Sequence, residues 1–100
     1  MMAQAASTVP SAVVVGMGRT GLSVARHLQR CGYSIAITDS RETPPEIEGI
    51  KALGSAVITR TGGFDVQLLE RGDIVVTSPG VPLDDPFFMQ ARARGLDIVG

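Results

Sequence analysis

Gly16-Met17-Gly18-Arg19-Thr20-Gly21 matches the pattern G-x-G-x-x-G. It follows an apolar, β-branched run, Ala12-Val13-Val14-Val15, and opens a stretch with helical spacing. That context turns a weak string into a candidate diphosphate-binding turn. Gly16 permits the tight turn. Gly18 lacks a side chain, so a pyrophosphate can approach the backbone, and Gly21 lets the helix pack closely on the sheet. The free N–H groups at the helix start, near Arg19 and Thr20, then face the anion. Asp39 lies 18 residues after Gly21, about where dinucleotide-binding domains place an acid against the ribose hydroxyls. On spacing alone, a bound NAD is the natural reading. The same residue could instead close an Asx turn on its own loop, although the spacing favours ligand contact. Arg41 could stack on a base or donate to its carbonyls, or lie solvated in its loop. Ser78-Pro79-Gly80 follows a strand at its carboxyl end, where the ligands of open α/β sheets bind. It could equally be a plain strand-to-helix connection.

The rest of the composition narrows the chemistry. The chain has 100 residues, 44% of them hydrophobic and 19% charged, which suits one ordinary globular domain. A net charge of −1 offers no basic surface for nucleic acid. No segment reaches the roughly 18 apolar residues of a membrane span. One histidine, one cysteine and one lysine cannot assemble a metal cluster, a P-loop or a Ser-His-Asp set. No catalytic residue and no metal ligand is therefore assigned, and binding is the expected activity of this chain by itself. The single cysteine, Cys31, suits a reducing, cytoplasmic setting.

These residues need a frame. Ala12–Val15 reads as a buried parallel strand. Residues 20–31 read as a helix with Gly21, Leu22, Ala25 and Leu28 facing inward, closed by Gly32. Residues 34–38 form a second strand, completing a βαβ unit. A short helix is expected over 46–53, although Gly49 weakens it. Further strands are expected at 56–58, 73–77 and 96–99, with short helices over 66–70 and 86–94. Alternating strands and helices predict a Rossmann-like, doubly wound, open parallel sheet of about five strands. Residues 1–10 read as a flexible tail and 11–100 as the binding domain. The chain stops on its fifth strand, which reads as a cut at a domain boundary. His27 reads as a bystander on the helix surface, Cys31 as a small apolar filler, and Phe87-Phe88-Met89 as core.

Four motifs in order carry a more particular resemblance. Val13 to Ser23, with its Thr20-Gly21-Leu22-Ser23 ending, resembles the first turn of the MurD-type ligases, the UDP-N-acetylmuramoyl-L-alanine:D-glutamate ligases. Thr38-Asp39-Ser40-Arg41-Glu42-Thr43-Pro44-Pro45 resembles the Asp-Thr-Arg…Thr-Pro-Pro loop of that family. Ser78-Pro79-Gly80-Val81-Pro82 resembles its Ser-Pro-Gly loop, and Gly95 to Gly100 its closing Gly-Ile-x-Ile-x-Gly. The resemblance implies a Rossmann-like domain that holds a UDP-sugar rather than NAD. It places the diphosphate on Gly18, Arg19 and Thr20, the uracil among Asp39, Ser40 and Arg41, and the uridine against Ser78, Pro79 and Gly80. The implied parent enzyme is cytoplasmic and joins D-glutamate to UDP-MurNAc-L-alanine during peptidoglycan precursor synthesis. ATP and Mg2+ would be held by central and C-terminal domains outside this chain, leaving this part inactive alone but able to bind. Arg19 stands where an apolar residue is expected, and Ser40 where threonine is expected. The other readings are an NAD-binding domain of a dehydrogenase or regulatory protein, and an interaction module whose glycine turn is purely structural.

Overall fold

The computed structural model describes residues 9–100; the expected tail falls almost wholly on residues 1–8, outside the described residues. Five strands, β1 (Ser11–Val15), β2 (Ser34–Thr38), β3 (Ile58–Arg60), β4 (Ile74–Thr77) and β5 (Asp97–Val99), form one sheet in the order β3-β2-β1-β4-β5. Every pairing is parallel. The connections carry α1 (Arg19–Arg30), α2 (Ile47–Lys51), a 3-10 turn (Val66–Glu70) and α3 (Pro86–Ala93). This is the open α/β sheet expected from the alternating pattern.

The side-chain alternation of β1 divides the core. Ala12 and Val14 point to one face, where they pack with Leu22 and Ala25 of α1, Ile50 of α2, and Ile35 and Ile37 of β2. Val13 and Val15 point to the other, among Leu68, Leu69, Val75, Phe87, Phe88 and Ala91. Both faces of β1 are buried, which is why its sequence is a continuous apolar run rather than an alternation.

The helix ends follow local chemistry. Gly32, at φ +94°, takes the left-handed position after α1. The Asp85 carboxylate accepts the Phe87 N–H at 2.9 Å, and Pro86 occupies the first turn of α3. Gly49 sits inside α2 because α1 passes close by. A Cβ there would stand 2.6 Å from a Leu22 methyl.

Three expectations are corrected. The third strand is Ile58–Arg60, not 56–58. Residues 54–57 instead form a turn, closed by the Val57 N–H on the Gly54 carbonyl, and pairing with Ala36–Thr38 sets the strand two residues later. As an edge strand, β3 lacks the apolar run that marks β1. Cys31 is exposed rather than a filler, with its Sγ 3.6 Å from the exposed His27. Met89 is 63% exposed, while its neighbours Phe87 and Phe88 are buried as expected.

The contact that seats α1 on β1 is made by two glycines. Gly16, at φ +106°, turns the chain out of β1, and its carbonyl oxygen lies where a side chain on Gly21 would begin. The colliding atom is backbone, so it cannot move aside as a flexible side chain would. Gly21→Ala is therefore expected to lower stability by about 3 kcal/mol or more, read as the shift in urea midpoint against the unsubstituted chain. A midpoint unchanged by that methyl would mean that α1 does not sit on the turn as described.

Candidate functional site

The carboxyl ends of β1, β2 and β4 open into a cleft of about 390 Å³. Gly16, Gly18, Arg19 and Thr20 line it from the β1–α1 turn, Asp39, Ser40 and Arg41 from the end of β2, and Ser78, Pro79 and Gly80 from the end of β4. The chain leaves β1 toward β2 on one side and β4 lies on the other, so this is the topological switch point of the sheet. Every site residue singled out from the sequence lies on this cleft except Gly21, which lies beneath the turn.

The start of α1 is built unlike those of the 3-10 turn and α3. Its N-cap is Gly18, which supplies no side-chain acceptor, and its first turn holds no acidic residue. By contrast, Asp65 and Asp85 cap their own segments with carboxylates. The first intrahelical bond runs from Leu22 N–H to the Gly18 carbonyl, 3.0 Å. The amides of Arg19 and Thr20 precede it at the positive end of the helix dipole, and both residues line the cleft. A Cβ built on Gly18 meets nothing within 4 Å. Gly18 itself lines the cleft, and bare backbone there suits an anion with several oxygens.

Asp39 organises the second wall. It is 2% exposed. Its Oδ2 accepts the Met17 N–H at 2.7 Å and Arg41 Nη2 at 2.8 Å. Its Oδ1 accepts the Arg41 N–H at 2.7 Å and Arg41 Nε at 2.9 Å. These bonds occupy a carboxylate's usual lone-pair capacity. The bond to the amide two residues on is an Asx turn, so the less favoured sequence reading of Asp39 is the conformation found. Burial is the largest single influence on this carboxyl and pushes its pKa up. The Arg41 guanidinium and the Met17 and Arg41 amides together outweigh it and hold the pKa below the ordinary carboxylate value. Hydrogen bonding to Asp39 raises the Arg41 pKa in turn. The Arg41 side chain is 54% exposed, so the ion pair is buried at the carboxylate end and open at the other.

The third wall is a tight turn. The Ser78 carbonyl accepts the Val81 N–H at 3.3 Å, with Pro79 second and Gly80 third at φ +91°, the arrangement of a type II turn. The Ser78 N–H donates to the Val15 carbonyl at 3.0 Å, continuing the β1–β4 ladder into the site. Phe64, Val81 and Pro82 also line the cleft, and sequence reasoning missed all three. Phe64 follows the Gly62-Gly63 turn and joins an aromatic cluster with Phe87 and Phe88. No spacing rule marks it. Only the fold brings residue 64 beside residues 39–41.

The family described as Mur ligase MurD-like, N-terminal domain, matches residues 10–100. The chain belongs to this family. Its curated relatives include ligases named UDP-N-acetylmuramoylalanine–D-glutamate ligase. The Nitrosococcus oceani enzyme is 43% identical over 90 residues, covering 90% of this chain and 20% of that protein. Those of Pseudomonas savastanoi and Thiobacillus denitrificans are 41% and 42% identical over 88 residues each. The chain thus spans about a fifth of the length of these relatives. Membership agrees with the resemblance carried by the four motifs, and the turn, the β2 loop and the Ser-Pro-Gly turn of this MurD-like domain are the elements that meet at the cleft. No helix among the described residues is long and apolar enough to cross a membrane.

The buried carboxylate makes stability depend on pH in a stated direction. A depressed folded pKa stabilises above the unfolded value, near 3.9, and that stabilisation is lost as pH falls through the folded value. Asp39→Asn should lower stability by about 1–3 kcal/mol at pH 7. The gap between the two proteins should narrow as urea titrations move below about pH 4. A gap constant from neutral pH to strongly acidic conditions would contradict this account of Asp39.

Proposed function

We propose that the cleft holds the nucleoside-diphosphate end of UDP-MurNAc-L-alanine, and that the chain is the substrate-holding domain of a cytoplasmic, ATP-dependent ligase that adds D-glutamate in peptidoglycan synthesis. The observation that carries this reading is the open backbone at Gly18 beside the uncapped start of α1, in a chain belonging to the MurD-like N-terminal family. Amides of Arg19 and Thr20 donate to the diphosphate oxygens, and the Arg19 guanidinium, exposed at the cleft mouth, adds charge attraction. Uracil presents one N–H between two carbonyl acceptors. The Asp39 carboxylate is already occupied by Met17 and Arg41, so its part is to hold Arg41 and the Ser40 loop in place. The third guanidinium nitrogen, Arg41 Nη1, and the loop amides donate to the carbonyls, and the Ser40 hydroxyl accepts from the ring N–H. The turn at Ser78-Pro79-Gly80 lies along the uridine.

The same occupancy weighs against NAD. A dinucleotide site uses the acid after the second strand to accept from the ribose hydroxyls, and here that acid has no free lone pair to offer. ATP and Mg2+ are assigned to other domains of the parent enzyme, and the one lysine among the described residues, Lys51, ends α2 and does not line the cleft. This chain's share of the reaction is to bind and orient the substrate, while ATP-driven activation of the carboxyl and attack by the amine belong to domains of the parent enzyme.

Gly18→Ala separates binding from folding. The methyl enters empty space and should change stability by under about 1 kcal/mol, yet it stands where the diphosphate approaches. Calorimetric titration with UDP-MurNAc-L-alanine should show affinity reduced at least about tenfold, which corresponds to about 1.4 kcal/mol. Undiminished affinity in a folded variant would place the diphosphate elsewhere. The purified chain should release no ADP from ATP in the presence of D-glutamate and the UDP-sugar; D-glutamate-dependent release would overturn the assignment of catalysis to other domains.

A further inference from the structure

Phe64 is half-buried on the cleft wall and unused by the polar contacts described above. Its ring is not free to swing. It packs against Phe87 and Phe88 with ring centroids 5.8 and 6.4 Å away, tilted at 60° and 66°. Its backbone is stapled to the β2 loop. The buried Thr38 hydroxyl donates to the Gly63 carbonyl at 3.2 Å and accepts the Asp65 N–H at 3.1 Å, bracketing residue 64 on both sides. Gly62 N–H donates to the Arg41 carbonyl at 3.0 Å, and Gly63 N–H to the Asp39 carbonyl at 3.2 Å. Four bonds therefore lock the segment carrying the one aromatic ring that lines the cleft among the described residues to residues 38–41. A phenylalanine serving only the core would need neither this lacing nor a face on the cleft.

We infer that Phe64 is the apolar wall of the base subsite, packing its ring against the flat heterocycle of the bound nucleotide, and that Thr38 is the positioning residue that holds it there. This rests on the uridine reading above and deepens it. The polar groups of Ser40 and Arg41 address the edge of the base, and Phe64 supplies the face contact that hydrogen bonds to an edge cannot. Removing the ring should weaken base-containing ligands and leave the phosphate grip intact. Base–aromatic contacts of this kind contribute about 1–3 kcal/mol.

The test uses UDP and inorganic pyrophosphate as probes, followed by NMR on the labelled chain. With UDP, nuclear Overhauser contacts are expected between the Phe64 ring protons and uracil H5 or H6. Phe64→Leu keeps an apolar side chain in the cluster and should lose roughly tenfold in UDP affinity, with pyrophosphate affinity unchanged. Thr38→Val should lose the ring-to-uracil contacts, and Thr38→Ser, which retains the hydroxyl, should keep them. Two results would overturn the inference while leaving the uridine reading standing. One is UDP shifting the Arg19 and Thr20 amides without any ring-to-uracil contact and with Phe64→Leu binding equally well. The other is Phe64→Leu losing UDP and pyrophosphate in equal measure, which would make the ring a support of the whole cleft rather than a base contact. If UDP leaves the Arg19 and Thr20 amides unmoved, the uridine reading fails and this inference falls with it.

Discussion

The hydrogen bond from the Met17 N–H to the buried Asp39 carboxylate sets the distance between the glycine turn and the β2 loop, and the site takes its shape from that distance. The same carboxylate closes its own loop onto the Arg41 amide and grips the Arg41 side chain through two nitrogens. One ionised group thus joins the segment suited to a diphosphate with the segment suited to a base. A buried carboxylate is tolerated because its acceptor sites are met by amides and a guanidinium; left unpaired at that depth, it would be strongly destabilising. Its ionisation also makes the arrangement decisive. Charge-assisted bonds are short and directional, so they hold loop geometry better than apolar contact would.

Around this tie, the fold leaves polar backbone available where it is needed. The 3-10 turn and α3 meet their first N–H groups with aspartates, whereas α1 begins on a glycine with no acceptor. Gly21 lets that uncapped start sit against the end of β1, and Gly18 keeps its outer side open. The Gly16 amide donates to the Thr38 carbonyl and the Ser78 amide to the Val15 carbonyl, each extending a sheet ladder one step into the site. The walls are therefore continuations of the sheet rather than loose loops, and a ligand entering the cleft would meet groups whose positions are already fixed.

The parts legible in the sequence were those governed by local rules. A doubly buried strand must be apolar throughout, so β1 is visible as Ala12–Val15. A left-handed position after a helix favours glycine, so the ends near Gly32 and Gly95 are visible too. The edge strand β3 was misplaced by two residues because its register comes from pairing with β2 and not from its own pattern. Spacing brings Asp39 to the end of β2 but does not reveal its partners, since the Met17 amide approaches it only once β1 and β2 lie side by side. Phe64 carried no signal at all. Its position depends on the Thr38 hydroxyl and on packing against residues more than twenty positions later. Cys31 and Met89 were misread because residue type suggested burial, while their places at a helix end and on an outer face dictated exposure.

The central claim is that the cleft is a uridine-diphosphate site built on the α1 start and the Asp39 loop. The most direct measurement follows the backbone amides of the labelled chain during separate titrations with UDP and NAD. The account predicts that UDP shifts the amides of Arg19, Thr20, Ser40, Arg41 and Gly80 in a saturable way while NAD leaves them nearly unmoved. Saturable shifts at the glycine turn and Asp39 with NAD, and none with UDP, would contradict it and make the chain a dinucleotide-binding domain.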